Sequence, residues 1–447
     1  MNRNILLLIT ALLLLPPAPA SGEAVTLREA VKRALVQNHL LKAASLERGA
    51  AREELAASRS RYLPRVYLES GALLSNTPSK VFMMKLDEGR IDPGSDFAAD
   101  ALNEPSARGD FRSALTLEQP LLDLSISTGA DLAAKDAESA ELALDASREQ
   151  VAYRVFLAFL AVRTAHAFHD IAGQAVENAR EHRRLAQVRE RDGVGLKSDL
   201  LRGETALAEA EQRLITAQNN LLLARLRLNL AVGGRQGETL DIDGPADLEE
   251  PDAAGAELIQ QALKNRPDLK ITEKTVEKGD LAVRLARQAY LPTVYAGASY
   301  QVNDRDQPLG LDHDSWSVGV NLRWDLFDGG RRFHVGQRAQ LSRQARAELL
   351  ENERREAALQ VTESMLRRQE AALKLESARA SAKAGEEGRR LVALRFQNGL
   401  SSMVELMDAE NAVNRAKANL VEVENGYLGS TGELYYQAGL FLKEVMP

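Results

Sequence analysis

The strongest constraint on the fold is that the sequence is written twice. Shifted by 228 positions, residues 29–67 lie over residues 257–295 without a gap. The clearest match is YLPRVY at 62–67 over YLPTVY at 290–295. A repeat of about 200 residues is too long for a solenoid unit, so it indicates duplication of a whole structural half.

The two halves differ by one insertion and are joined by a linker. Around residue 117 the offset falls from 228 to 205, and it settles at 206 beyond residue 148, so the first half carries about 23 extra residues, within the region 75–110. The sequence predicts a first repeat over 21–233 and a second over 256–447. Residues 234–255 between them are rich in Gly, Pro and acidic side chains, which predicts a linker over a surface.

The first twenty residues predict an export signal. Arg3 precedes an apolar stretch, and Ala18 and Ala20 form a small-x-small cleavage site, so we expect a signal peptide over 1–20. No later apolar run approaches 18 residues, so no transmembrane helix is expected in the exported chain. These features favour a periplasmic, secreted or outer-membrane β-protein.

Composition excludes several kinds of site. The net charge of −7 argues against a nucleic-acid partner, and the absence of Cys excludes disulfides, thiolate metal sites, catalytic thiols and a lipidated cysteine. His166 and His169 stand three apart on a helix, but they are interpreted as polar positions on its face. We predict no catalytic residues, no bound metal and no cofactor, and we do not expect an enzyme.

Each half is predicted to contain a helix, two strands and a long helical hairpin. Pro64 and Pro292 end the first helix of each half, which the pattern places over 27–61 and 258–288. Period-two alternation predicts strands at about 65–75, 112–122, 293–303 and 316–326. Residues 126–189 and 331–396 contain no Pro and little Gly, and each segment is followed by a further helical stretch, which predicts long hairpins at 126–232 and 331–440.

The strands allow two interpretations. They could form a small soluble sheet with one face on a helix, or part of a membrane barrel with apolar residues toward lipid. Trp316 and Trp324 favour the barrel, because eight residues span roughly 27 Å, close to the height of a membrane barrel's apolar band. Four strands cannot close, whereas three copies would supply about twelve. The predicted lipid-facing residues are Trp316, Val318, Val320, Leu322 and Trp324.

The signal, the duplication, the YLPxVY motifs and the hairpin turns together resemble the TolC family of outer-membrane efflux proteins. Each turn has a glycine followed six residues later by an acid: Gly193 with Asp199, and Gly399 with Glu405. The resemblance covers nearly all of the chain after the signal. The helices alone equally fit a periplasmic helical scaffold without a membrane barrel, which is the alternative function.

The resemblance implies a mainly α fold with a small membrane β part. A homotrimer would form a β-barrel of about twelve strands, continuous with an α-barrel of about twelve helices. The protein would reside in the outer membrane of a Gram-negative bacterium, in contact with its lipid, and extend into the periplasm. It would serve passively as the exit channel of a tripartite efflux or type I secretion system. Its partners would be a periplasmic adaptor protein and an inner-membrane pump of the RND or ABC type.

The resemblance also implies two sites. The adaptor would dock at the two hairpin tips, which comprise Gly193, Val194, Gly399, Leu400, Ser401 and Ser402. Glu405 and Asp408 would line the periplasmic entrance, since residues three apart share a helix face. The family's latch uses a basic residue two positions after the second tip glycine. Ser401 stands there in this chain, so a salt-bridge latch of that form is not predicted.

Overall fold

The computed structural model describes residues 23–246, 248–249, 255–311 and 313–446. The predicted signal peptide lies outside these ranges. The elements of the first half are β1 (Glu23–Val25), α1 (Leu27–Gln37), α2 (His39–Ser60), β2 (Arg65–Ser75), α3 (Pro78–Asp87), α4 (Ala99–Asn103), β3 (Arg108–Leu122), α5 (Leu124–Arg191) and α6 (Lys197–Val232). Those that follow are β4 (Leu240–Ile242), α7 (Gly255–Asn265), α8 (Pro267–Gln288), β5 (Thr293–Asp304), β6 (His313–Arg323), α9 (Arg331–Gln397), α10 (Met403–Gln437) and α11 (Phe441–Val445).

The chain divides into two compact units. The first combines the described residues of the ranges 1–48, 140–271 and 350–447, and its largest core lies where α1, α5, α6 and α11 meet. Phe156 and Phe441 are fully buried there, and the ring of Tyr153 stacks on that of Tyr436 with centroids 4.5 Å apart. Burial raises the pKa of the Tyr153 hydroxyl to about 12.

The predicted linker contains a strand that the sequence pattern did not indicate. β4 pairs in parallel with β1, with Val25 opposite Ile242. Asp241 of β4 accepts from Arg225 at 2.5 Å and lies 2.7 Å from the Nε2 atom of His166, which ties the strand to α6 and α5. Burial alone raises the pKa of Asp241, but these two partners hold it below its usual value.

The second unit, residues 49–139 and 272–349, contains a four-stranded antiparallel sheet in the order β2-β3-β5-β6. β3 begins at Arg108, earlier than predicted, and β6 covers 313–323 instead of 316–326. Trp324 therefore follows the strand and does not belong to it, so its predicted place on the strand was wrong. The insertion contains the helices α3 and α4.

The first helix of each half is divided in two, where a single helix was predicted. Asn38 is extended between α1 and α2, and its side chain accepts from the amide of Leu40 at 2.8 Å. The copy divides between Asn265 and Pro267 because proline cannot donate to the preceding turn and holds the residue before it in extended geometry. Composition favoured helix throughout and missed both interruptions.

Among the described helices, α5 is long and apolar enough by length and composition to cross a membrane. In its most apolar window 44% is buried inside the protein, as also occurs in core helices of soluble proteins. This observation is therefore weak evidence for a membrane span.

Candidate functional site at the hairpin tips

Both hairpins turn through the same local structure. Gly193 and Gly399 have positive φ angles, 71° and 74°, which an L side chain rarely adopts. The next residue bonds back across the turn: the amide of Val194 donates to Arg189 O at 3.0 Å, and that of Leu400 to Arg395 O at 2.8 Å. Each turn thereby presents one apolar side chain to solvent, with Val194 79% and Leu400 69% exposed.

The two tips pack against each other within the first unit. The guanidinium of Arg189 lies 4.3 Å from the ring centroid of Phe396 and donates to its carbonyl oxygen at 3.3 Å. Phe396 is buried together with Ala186, Met403 and Leu406. This buried cluster packs the helix ends on either side of the turns against each other. Leu400 is exposed and is not part of that packing.

Glu405, predicted to line the entrance, caps the helix that follows the second tip. The hydroxyl of Ser402 accepts from the amide of Glu405 at 3.2 Å, and the Glu405 carboxylate accepts from the amide of Ser402 at 3.0 Å. The Ser401 hydroxyl also donates to this carboxylate. These bonds lower the pKa of Glu405, the Ser401 hydroxyl contributing most. Ser401, which the sequence analysis named in place of a basic latch residue, therefore contacts Glu405 through its hydroxyl.

Asp408 lies one turn further along and is exposed. It lines the mouth of a cavity of about 420 Å³ between α5, α6 and α10, whereas Glu405 does not. The two predicted entrance residues are therefore both exposed at the start of α10, but only Asp408 belongs to this cavity.

Buried polar residues in the lining of that cavity form a cluster that the sequence pattern did not indicate. Glu410 accepts from Asn178 at 3.0 Å and from Arg389 at 3.1 Å, and so joins α10 to α5 and α9. His182 lies 3.8 Å away. Burial alone raises the pKa of Glu410, but His182 and Arg389 together bring it below the ordinary value. A glutamate with this many partners fixes the two hairpins relative to each other near their tips.

The register of the sheet sorts the strand residues into two faces. Directly opposite residues share a face, and Val318 pairs with Ala298, Val320 with Ala296 and Leu322 with Val294. The row through Trp316 continues to Tyr300, Leu115 and Leu68, all on this apolar face. The four strand residues predicted to face lipid are each at least 64% exposed: Trp316, Val318, Val320 and Leu322. Trp324, beyond the strand, is 55% exposed and its ring N–H donates to the carbonyl of Tyr290 at 3.0 Å.

This fold is that of known outer-membrane channels. The Campylobacter jejuni CmeC outer membrane channel matches with a TM-score of 0.78 and 18% sequence identity, over 93% of this chain and 86% of that one. The family model described as outer membrane efflux protein matches residues 30–234 and 258–439. The chain belongs to that family, and the resemblance to the TolC family is confirmed.

Curated relatives cover the chain to different extents. The proteases secretion protein PrtF of Dickeya chrysanthemi is 24% identical over 100% of this chain and 94% of its own length. The fusaric acid resistance protein FusA of Burkholderia cepacia is 27% identical, over 46% of this chain and 42% of its own length. Together with the family, these relatives identify an efflux or secretion channel of the outer membrane.

Proposed function

We propose that three copies of this chain assemble into one continuous exit channel. The four strands of each copy contribute to a closed β-barrel in the outer membrane, and the hairpins contribute to an α-barrel in the periplasm. Substrate delivered by an inner-membrane pump passes through this channel without further energy input.

The sheet carries this proposal. In the described part of the chain, β2 and β6 each pair on one side only, so both leave unpaired backbone groups along eleven residues. The neighbouring apolar face is widely exposed. Unpaired backbone in lipid costs several kcal/mol per group, so a membrane sheet must close on itself. Pairing β6 of one copy with β2 of the next satisfies both edges and turns the apolar face toward lipid.

Trimer formation is the first expected result. The detergent-solubilised particle should have three times the mass of the processed chain, because three copies supply the strand number that a barrel of this kind requires. Multi-angle light scattering, corrected for detergent, measures this mass. A monomer or dimer that still conducts ions in a planar bilayer would contradict the barrel.

We further propose that the exposed tips dock a periplasmic adaptor. The tip set, Gly193, Val194, Gly399, Leu400, Ser401 and Ser402, offers exposed backbone and two apolar side chains that no described residue covers. The adaptor would link the channel to an inner-membrane pump of the RND or ABC type. The name of PrtF supports protein secretion as a function of this exit channel. The name of FusA supports resistance to a small molecule.

The entrance is proposed to be cation-selective. Glu405 and Asp408 from three chains would place six carboxylates around one opening, and such a ring favours cations. The lowered pKa of Glu405 keeps its carboxylate charged at neutral pH. The double variant that combines Glu405→Gln and Asp408→Asn should have a cation-to-anion permeability ratio close to unity. It should also lose the block by multivalent cations. Planar-bilayer recordings measure both properties.

Two features make this double variant informative. Glutamine still completes the capping box with Ser402, so the helix start is retained. Glu422→Gln removes one exposed charge from the same helix further from the tip, and is expected to leave selectivity unchanged. Unaltered selectivity and block in the double variant would show that these two carboxylates do not form the constriction.

A further inference from the structure

The segment between β2 and β3, residues 76–107, lies over one particular face of the sheet. Gly71 is opposite Arg112, Arg112 is opposite Asn303, and Asn303 is opposite His313, so these four form one row across all strands. Neighbouring rows on this face also carry polar side chains, among them Thr116, Ser299 and Ser317. It is the face opposite to the apolar one.

The contacts of α3 lie on this polar face. Lys80, Met83 and Asp87 of the helix line a cavity of about 570 Å³ together with sheet residues. The sheet contributes side chains of the polar rows, including Arg112 and Asn303. A water molecule occupies about 30 Å³ in the liquid, so this space is large enough for solvent beneath the helix. The helix therefore spans the polar face without being close-packed on it.

Two contacts anchor the end of α3. The side chain of Glu88 is fully buried and pairs with Arg108, itself only 12% exposed, at the start of β3. Gly89 has a φ angle of 65°, and a Cβ atom there would lie 3.2 Å from Nδ1 of His313 on β6. The chain thus turns tightly against the first residue of β6, where a side chain would be strained.

The rest of the segment folds against α3. Lys85 pairs with Asp96, whose side chain is 8% exposed, and the rings of Phe82 and Phe97 meet edge to face at 5.8 Å. Arg90 approaches Asp306, in the connection between β5 and β6, to 3.9 Å. The insertion is therefore a folded element fixed to the start of β3, to the start of β6 and to the connection between β5 and β6.

We infer that residues 76–107 form a lumenal lid, which sets the largest cargo that can leave the channel. The inference rests on the proposed function, because the polar face becomes the wall of the lumen only when the barrel closes with its apolar face toward lipid. Three lids, one per copy, then project into the same lumen and narrow it. A channel whose β2–β3 connection is a short turn lacks this restriction.

The lid can be removed without altering the strands it joins. Ser75 and Arg108 are the last paired residues, so replacing 76–107 with Asn-Gly closes β2 and β3 through a two-residue hairpin turn in the same register. Glu88→Ala is a milder variant that leaves Arg108 buried without its partner and should release the lid. Glu104→Ala changes an exposed carboxylate of the same segment and serves as its control.

The absence of native Cys allows a direct measurement of access from outside the cell. Ser317→Cys places one thiol on the polar face, below the His313 row, and Val318→Cys places one on the apolar face. Intact cells are treated with a small thiosulfonate or with a long polyethylene-glycol maleimide. Because this route starts at the extracellular end, the result does not depend on the periplasmic entrance.

With the lid present, we expect the small reagent to label Cys at 317 and the polymer to react roughly tenfold more slowly than in the lid-less channel. In the Glu88→Ala variant the polymer should react with Cys at 317 as fast as in the lid-less channel. In the Glu104→Ala variant it should react as slowly as in the channel with an unaltered lid. Equal polymer rates with and without the lid would overturn the inference while leaving the channel intact. Labelling at 318 but not at 317, even without the lid, would instead contradict the proposed orientation of the barrel.

Discussion

Export should be abolished by Leu400→Asp, while the trimer and its insertion into the membrane remain intact. Leu400 is 69% exposed at the second tip, outside the buried cluster around Phe396 that supports the turn. A charge there costs little in the free channel, but it must be desolvated when an apolar partner surface covers it. Loss of apolar contact at the centre of an interface typically costs 2 kcal/mol or more, roughly a 30-fold loss of affinity.

Two measurements separate docking from folding. Affinity capture with the tagged channel should recover the adaptor from wild-type cells and not from the Leu400→Asp strain, while the particle mass stays that of the trimer. Asn398→Asp adds the same charge two residues earlier without removing an apolar side chain, and is expected to retain export. Export that survives Leu400→Asp would show that this tip is not the contact.

The regular parts of the fold could be predicted because the relevant signals are local. Pro64 and Pro292 stop the helices before β2 and β5, and the alternation from Trp316 to Leu322 specifies which side chains share a face. The tips at Gly193 and Gly399 were predicted from glycines that the turns do require, since both have positive φ. Duplication strengthened these predictions by presenting each signal twice.

The polar cluster near the tips could not be predicted, because its members come from three helices. Glu410 aligns with Glu204 in the repeat, yet Glu410 is buried among Asn178, His182 and Arg389 whereas Glu204 is exposed. Duplication preserves the residue type and not its surroundings. Neither spacing nor composition distinguishes the two glutamates before the helices are packed.

The insertion escaped prediction for a different reason. Residues 76–107 have no copy in the second half, and the amphipathic signal of α3 is only ten residues long. Its position depends on Glu88 meeting Arg108 and on Gly89 passing close to His313. Both contacts are between segments distant in sequence, so the fold of the insertion could not be inferred from its own residues.

Val320→Arg should prevent stable assembly in the outer membrane. Val320 is 65% exposed on the apolar face of β6, opposite the small Ala296, so arginine fits sterically and the cost arises from the environment. An arginine facing lipid near the middle of a barrel costs about 2–4 kcal/mol, and a trimer bears that cost three times. Refolding into vesicles across a urea series, read out as the trimer fraction on cold gels, should show a lower midpoint than the wild type.

Asn321→Arg is the matched control, because it introduces the same side chain one residue further along the same strand. Asn321 lies on the polar face opposite Tyr295, where water in the lumen can hydrate the guanidinium. Arginine there should leave the urea midpoint within the error of the wild type and alter only conduction. Equal destabilisation by both variants would mean that neither face contacts lipid, as in a soluble sheet. Selective destabilisation by Asn321→Arg would mean that the faces are reversed, in which case α3 would lie against lipid.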